Sequence, residues 1–219
     1  MKKLIIIFTI LFSVNAVFGQ SLKSVKLDSL VSVSLPSSYT KKDTLGQSVF
    51  SGNTDLGYII AIRQANEKGN QPLQKENDLN AVLKKYIDGI QSQSGNGSAQ
   101  NIRDTTIGKL KAKAFTLFQN DPNGESQYRN FILLYTQDAT YTFEYGYGDS
   151  RKDLIKGESK AYFASIKLAR ELQRNDQYVD TRPQTSNNKI TVIEITGGIL
   201  IIGFIAWLVF RKKDSGQFA

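Results

Sequence analysis

Two residue types are missing from this 219-residue chain, cysteine and histidine, and their absence removes much of the chemistry open to a small protein. Without cysteine there is no disulfide, no thiolate metal site, no cysteine nucleophile and no lipidated N-terminal cysteine. Without histidine the commonest general base and metal ligand at neutral pH is gone as well. Serine and lysine are plentiful but stand in no recognised nucleophile motif. No phosphate-cradling glycine loop is present either, and Gly95, Asn96 and Gly97 read as a plain loop. Asp121, Asn123 and Glu125 offer oxygens around Gly124, but the distal glutamate of a calcium loop is missing, and the segment has the composition of a solvated turn. The expectation is therefore a protein that is not an enzyme and carries no cofactor or metal. A domain without disulfides must be held by its own core.

What the chain does have is two apolar segments near its ends. Lys2 and Lys3 precede an apolar stretch over residues 4–12, followed by Ser13, Asn15, Ala16 and Gly19. That order is the secretory signal pattern, and the stretch falls short of the roughly 20 residues a bilayer crossing needs. Val17 and Gly19 suit cleavage before Gln20, and Val14 and Ala16 suit cleavage before Val17. Residues 190–210 are long enough to span, at about 1.5 Å rise per residue. Glu194 sits one turn inside the outer end, Trp207 lies near the other, and Arg211, Lys212 and Lys213 follow at once. Cations beside a span stay on the cytoplasmic side, so these residues set the topology. The expectation is a single-pass protein of a bacterial inner membrane. Residues 1–19 are the signal, 20–174 a periplasmic domain, 175–189 a polar linker, 190–210 the transmembrane helix in the lipid bilayer, and 211–219 a cytoplasmic tail. A chain cut near Arg174 is then expected to fold alone.

Setting aside Lys2, Lys3, Arg211, Lys212 and Lys213, and the anions Glu194 and Asp214, 23 cations face 18 anions. This moderate surplus suits an acidic partner or an anionic surface and is no nucleic-acid signature.

Between the ends, Val31, Val33 and Leu35 alternate with Ser32 and Ser34, a half-buried strand ended by Pro36. Strands are also predicted over 25–27, 48–51, 58–63, 99–106, 110–118, 128–136 and 140–147, with a hairpin over 52–55 and a turn over 121–124. Leu79, Val82, Leu83, Tyr86, Ile87 and Ile90 share one face of a helix over 78–93, capped by Asn77 or Asp78, with Lys84, Lys85 and Asp88 on the other side. A second helix is predicted over 151–163. Short links between successive strands imply antiparallel pairing. The fold class is α+β, a mostly antiparallel sheet flanked by helices.

The opening strand ending at Leu35 and Pro36, the helix carrying Leu79 to Ile90 after a hairpin, the strands containing Ala112, Phe131 and Tyr141, and the last helix running into Ser165 and Ile166 form a recognisable order. It resembles the PsbP/DcrB-like group of α/β/α sandwich domains over residues 23–169. The resemblance implies an accessory or assembly factor that binds an envelope or membrane protein. It departs from the group in the added C-terminal span and in lacking the lipidated cysteine of DcrB-like members.

Two sets of residues are candidates for binding. Lys109, Lys111 and Lys113 line one face of a strand, either as a basic stripe for an acidic partner or as edge protection. Tyr141, Phe143, Tyr145 and Tyr147 share a strand face, either as an aromatic platform or as core beneath a helix. The second set carries the alternative function, a pocket for a lipid or glycan.

Overall fold

The computed structural model describes residues 22–67, 71–121 and 124–179. In chain order the elements are β1 (Leu22–Lys26), β2 (Val31–Pro36), β3 (Thr40–Thr44), β4 (Gln47–Asn53), β5 (Tyr58–Ala65), α1 (Glu76–Gln93), β6 (Ser98–Ile107), β7 (Leu110–Gln119), β8 (Gln127–Tyr135), β9 (Ala139–Gly148), α2 (Lys156–Ala164) and β10 (Lys167–Leu168). Over the described residues the architecture is α+β, with antiparallel sheets and two α-helices. A large sheet runs β3-β4-β5-β9-β8-β7-β6, and a small one runs β1-β2-β10.

Local chemistry sets the turns. Leu45 and Gly46 join β3 to β4 with φ of 45° and 78°, the signs of a type I′ hairpin turn. Gly108, at φ 56°, opens the two-residue turn between β6 and β7. A bulge around Asn101, whose φ is 54°, shifts the β6–β7 register between Gln100 and Arg103. The Asp78 carboxylate accepts the Lys75 and Gln74 amides at 2.9 and 3.1 Å, which satisfies donors at the start of α1.

Each face of the large sheet has its own core. On one face α1 lays Leu79, Leu83, Tyr86, Ile87 and Ile90 over Ile60, Ile62, Phe115, Leu117, Phe131 and Leu133. On the other, Val31, Val33 and Leu35 of β2 and Tyr162 of α2 cover Ile59, Ala61, Tyr141, Phe143 and Tyr145. Because β9 is buried on both faces, its nine residues from Ala139 to Tyr147 are all inside. This is the α1 orientation that the helical spacing predicts, with Val82 partly buried at the margin.

Three features differ from expectation. β3, with the sequence Thr-Lys-Lys-Asp-Thr, is an edge strand exposed along most of its length, so it carries no apolar alternation to announce it. The second helix begins at Lys156 because Asp149–Arg151 forms a 3₁₀ turn first, and this leaves Leu154 65% exposed. The domain also runs past residue 174. Gln177 and Tyr178, at the head of the expected linker, are buried. Gln177 accepts the Lys111 amide at 2.8 Å and donates to the carbonyls of Lys111 at 2.7 Å and Tyr135 at 2.9 Å, tying this strap to β7 and β8. Among the described residues no helix is long and apolar enough to cross a membrane. The expected signal and the expected span at 190–210, with Glu194, Trp207, Arg211, Lys212 and Lys213, lie outside the described residues.

Candidate binding site

The predicted aromatic row sits on one face of β9, and most of it is interior. Tyr141, Phe143 and Tyr145 are fully buried, and Tyr147 is 7% exposed. The Tyr141 and Tyr145 hydroxyls are used by the fold. Tyr141 donates to Asp28 Oδ2 at 2.6 Å, and Tyr145 donates to Glu158 of α2 at 2.9 Å. Burial, reinforced for each by its carboxylate partner, pushes both phenols above their ordinary range. Asp28 also accepts Arg63 Nε at 2.7 Å and the amides of Leu30 and Val31. Burial acts to raise its pKa, but these four donors together hold it below the usual carboxylate value. Asp28 thereby pins the β1–β2 turn onto the large sheet.

At the β9 end nearest Gly148 the same row meets the surface. Phe118, Tyr128 and Tyr147 are register partners on β7, β8 and β9. Their rings lie 5.0 Å apart for Phe118–Tyr128 and 5.4 Å for Tyr128–Tyr147, the latter stacked. Phe118 and Tyr128 are half-buried. Lys152 holds its ammonium 4.7 Å from the centre of the Tyr128 ring, within cation–π reach. Beside them Thr116 and Asn130 share a 2.8 Å hydrogen bond. This corner offers aromatic edges, an amide and a cation to a neighbour. Sequence reasoning missed Phe118, Tyr128 and Lys152. The signal was present in the alternation of Tyr128, Asn130 and Ile132, which places all three on the same face as Tyr147.

The lysines do not form a free stripe. Lys109 belongs to the β6–β7 turn and donates to Gln173 at 3.0 Å. Lys111 pairs with Glu76 of α1, and Lys113 pairs with Asp104 of β6. Lys111 and Lys113 do share the α1-side face, each matched by a carboxylate from another element. Of the turn residues offering oxygens, Glu125 accepts the Ser150 amide at 2.6 Å, and Asn123 lies outside the described residues. Among the described residues no cluster of acidic side chains is arranged to hold a metal ion.

A second feature that sequence reasoning missed lies under the α1 face. Arg129 of β8 and Glu144 of β9, 3% and 1% exposed at the side chain, form a two-point ion pair with Nε–Oε1 of 2.6 Å and Nη2–Oε2 of 2.8 Å. Tyr58 of β5 donates to the same Oε1 at 3.0 Å. Gly146 makes room for this arrangement, since a Cβ there would stand 2.0 Å from Tyr58 Cζ. The guanidinium also lies 5.1 Å from the Phe131 ring centre. Burial works against the arginine charge, but Glu144 outweighs it and keeps Arg129 protonated. The pair joins three neighbouring strands and has the character of a fold-specifying contact.

No family model matches the chain, and no curated protein matches it. Among solved structures it is similar to the solution structure of cyanobacterial PsbP (CyanoP) from Synechocystis sp. PCC 6803. That match has 14% identity and a TM-score of 0.48, covering 71% of this chain and 96% of that one. It is also similar to a crystal structure from Bacteroides thetaiotaomicron VPI-5482, with 14% identity and a TM-score of 0.35, covering 64% of this chain and 46% of that one.

Proposed function

We propose that this is a membrane-anchored, extracytoplasmic binding domain that docks a protein partner, as an accessory or assembly factor, through the corner formed by Phe118, Tyr128, Tyr147 and Lys152. The observation that carries the reading is the half-buried aromatic ladder with a lysine against its central ring. Aromatic side chains bring large, rigid contact area at low entropic cost, and they are enriched where proteins meet. Export and anchoring follow from the two terminal apolar segments. A lipid or glycan pocket along Tyr141 to Tyr145 has less support, because α2 and β2 already fill that face.

The test is photo-crosslinking from position 128 in intact cells, compared with position 84 on the exposed side of α1. A discrete protein adduct from 128 that is absent from 84 and lost in Lys152→Glu supports the assignment. Equal, diffuse labelling from both positions refutes it.

A further inference from the structure

We propose that the end of the large sheet bearing the Leu45–Gly46 turn rests on the bilayer, with Leu45 entering it, so that the aromatic corner is held facing away from the membrane. This rests on the anchor reading above and adds the orientation of the domain.

Strand register gathers five segments at one end. The Ala65 amide bonds the Gly46 carbonyl at 3.2 Å, Asn66 bonds Asp138 at 2.9 Å, and Gln137 bonds Asp176 at 2.7 Å. Lys109 reaches Gln173, and the Val179 amide bonds the Leu73 carbonyl at 2.7 Å. The hairpin tip, three other connections and the chain's exit therefore share one end. The aromatic corner lies at the other, beyond strands of ten residues that span roughly 33 Å.

Leu45 stands out at this end. It is 85% exposed and held at φ 45°, where a type I′ turn favours asparagine, aspartate or glycine. A leucine there strains the backbone and leaves an apolar side chain in water, with no return inside the domain. Val179, at the exit, is 37% exposed. Only residues 180–189 separate it from the expected span. Ten residues reach at most about 36 Å. The exit end is therefore kept near the bilayer, and at such a short tether one leucine is enough to bias orientation, because its contact is intramolecular. Charge at this end is mixed, with Lys42, Lys109 and Arg174 against Asp43, Glu67, Asp138 and Asp176, so the contact is apolar in kind and withstands salt.

The native chain has no cysteine, so single-cysteine variants of the full protein take one label each. In vesicles of phosphatidylcholine and phosphatidylglycerol, a fluorophore at Leu45→Cys is expected to be quenched by brominated acyl chains. A fluorophore at Asn96→Cys, at the opposite end, is expected to respond only to aqueous iodide. Ile202→Cys reports the anchor. Lipid quenching at 202 with aqueous behaviour at 45 overturns the orientation and leaves the anchor standing, whereas no lipid quenching at 202 removes both. A label at Thr44→Cys keeps the leucine. It should be shielded from iodide severalfold, and adding Leu45→Asn should abolish that shielding. Equal accessibility in the two backgrounds, or shielding that vanishes in high salt, overturns the apolar contact.

Discussion

Removing one partner of the Arg129–Glu144 pair should cost far more than removing both. Each side chain is nearly inaccessible to water, and the two hydrogen bonds of 2.6 and 2.8 Å neutralise a charge that has no other route to solvent. Arg129→Met keeps the volume but leaves Glu144 buried with Tyr58 as its remaining hydrogen-bond donor named above. Stranding a buried charge in this way typically costs about 3–5 kcal/mol. The double variant Arg129→Met/Glu144→Leu strands neither charge and packs apolar surface against Phe131. It should return to within about 1–2 kcal/mol of the native chain, since buried pairs are often replaceable by well-fitting hydrophobes. The assay is a urea titration of chain 20–179. With a slope of about 2 kcal/mol/M, the single variant should lower the midpoint by roughly 2 M and the double by less than about 1 M. Single variants that cost under about 1 kcal/mol, or a double variant that costs the sum of the singles, would show that the charges do not depend on each other and would refute the reasoning.

Two further outcomes are expected. Leu83→Ala should destabilise by about 2–5 kcal/mol through a cavity under α1, whereas Lys84→Ala, one position on and exposed, should stay within about 0.5 kcal/mol; equal urea midpoints would overturn the helix orientation. Asp28 has a folded-state pKa below its ordinary 3.8, so its stabilising contribution is present above that value and is lost as pH falls through the lowered one. Asp28→Asn should therefore be less stable than the native chain at pH 7, with the gap closing below about pH 4, and a gap constant between pH 7 and pH 2 would contradict the assignment.

How far the sequence could be read depended on whether a contact was local. α1 was legible because its five buried residues repeat every three or four positions, and that period needs no knowledge of the partner surface. The strands from β4 to β9 were legible by alternation and turn composition. The row of Tyr141 to Tyr147 was placed on one face, with core beneath a helix as one of its two readings, and the cover of β2 and α2 decides for core at Tyr141, Phe143 and Tyr145. Glu76, Asp104 and Gln173, which answer the three lysines, come from three other elements, and nothing near residue 110 announces them. Arg129 and Glu144 fit no motif in the sequence, because each makes sense only once β8 and β9 are in register. Gln177 and Tyr178 sit in a polar stretch with linker composition, and a single glutamine that completes backbone hydrogen bonds leaves no periodic trace.

That glutamine also sets a path for mechanical load. Any tension arriving from the carboxy-terminal side enters the domain at Val179, Tyr178 and Gln177. It is divided there among the Leu73 carbonyl ahead of α1 and the backbones of β7 and β8. Those strands are interior members of the seven-stranded sheet, each hydrogen-bonded on both sides. A pull must therefore strip several bonds at once before any strand moves, whereas a chain leaving from an exposed edge strand would unzip one bond at a time. The strap thus works as a strain-relief fitting where the chain leaves the sheet.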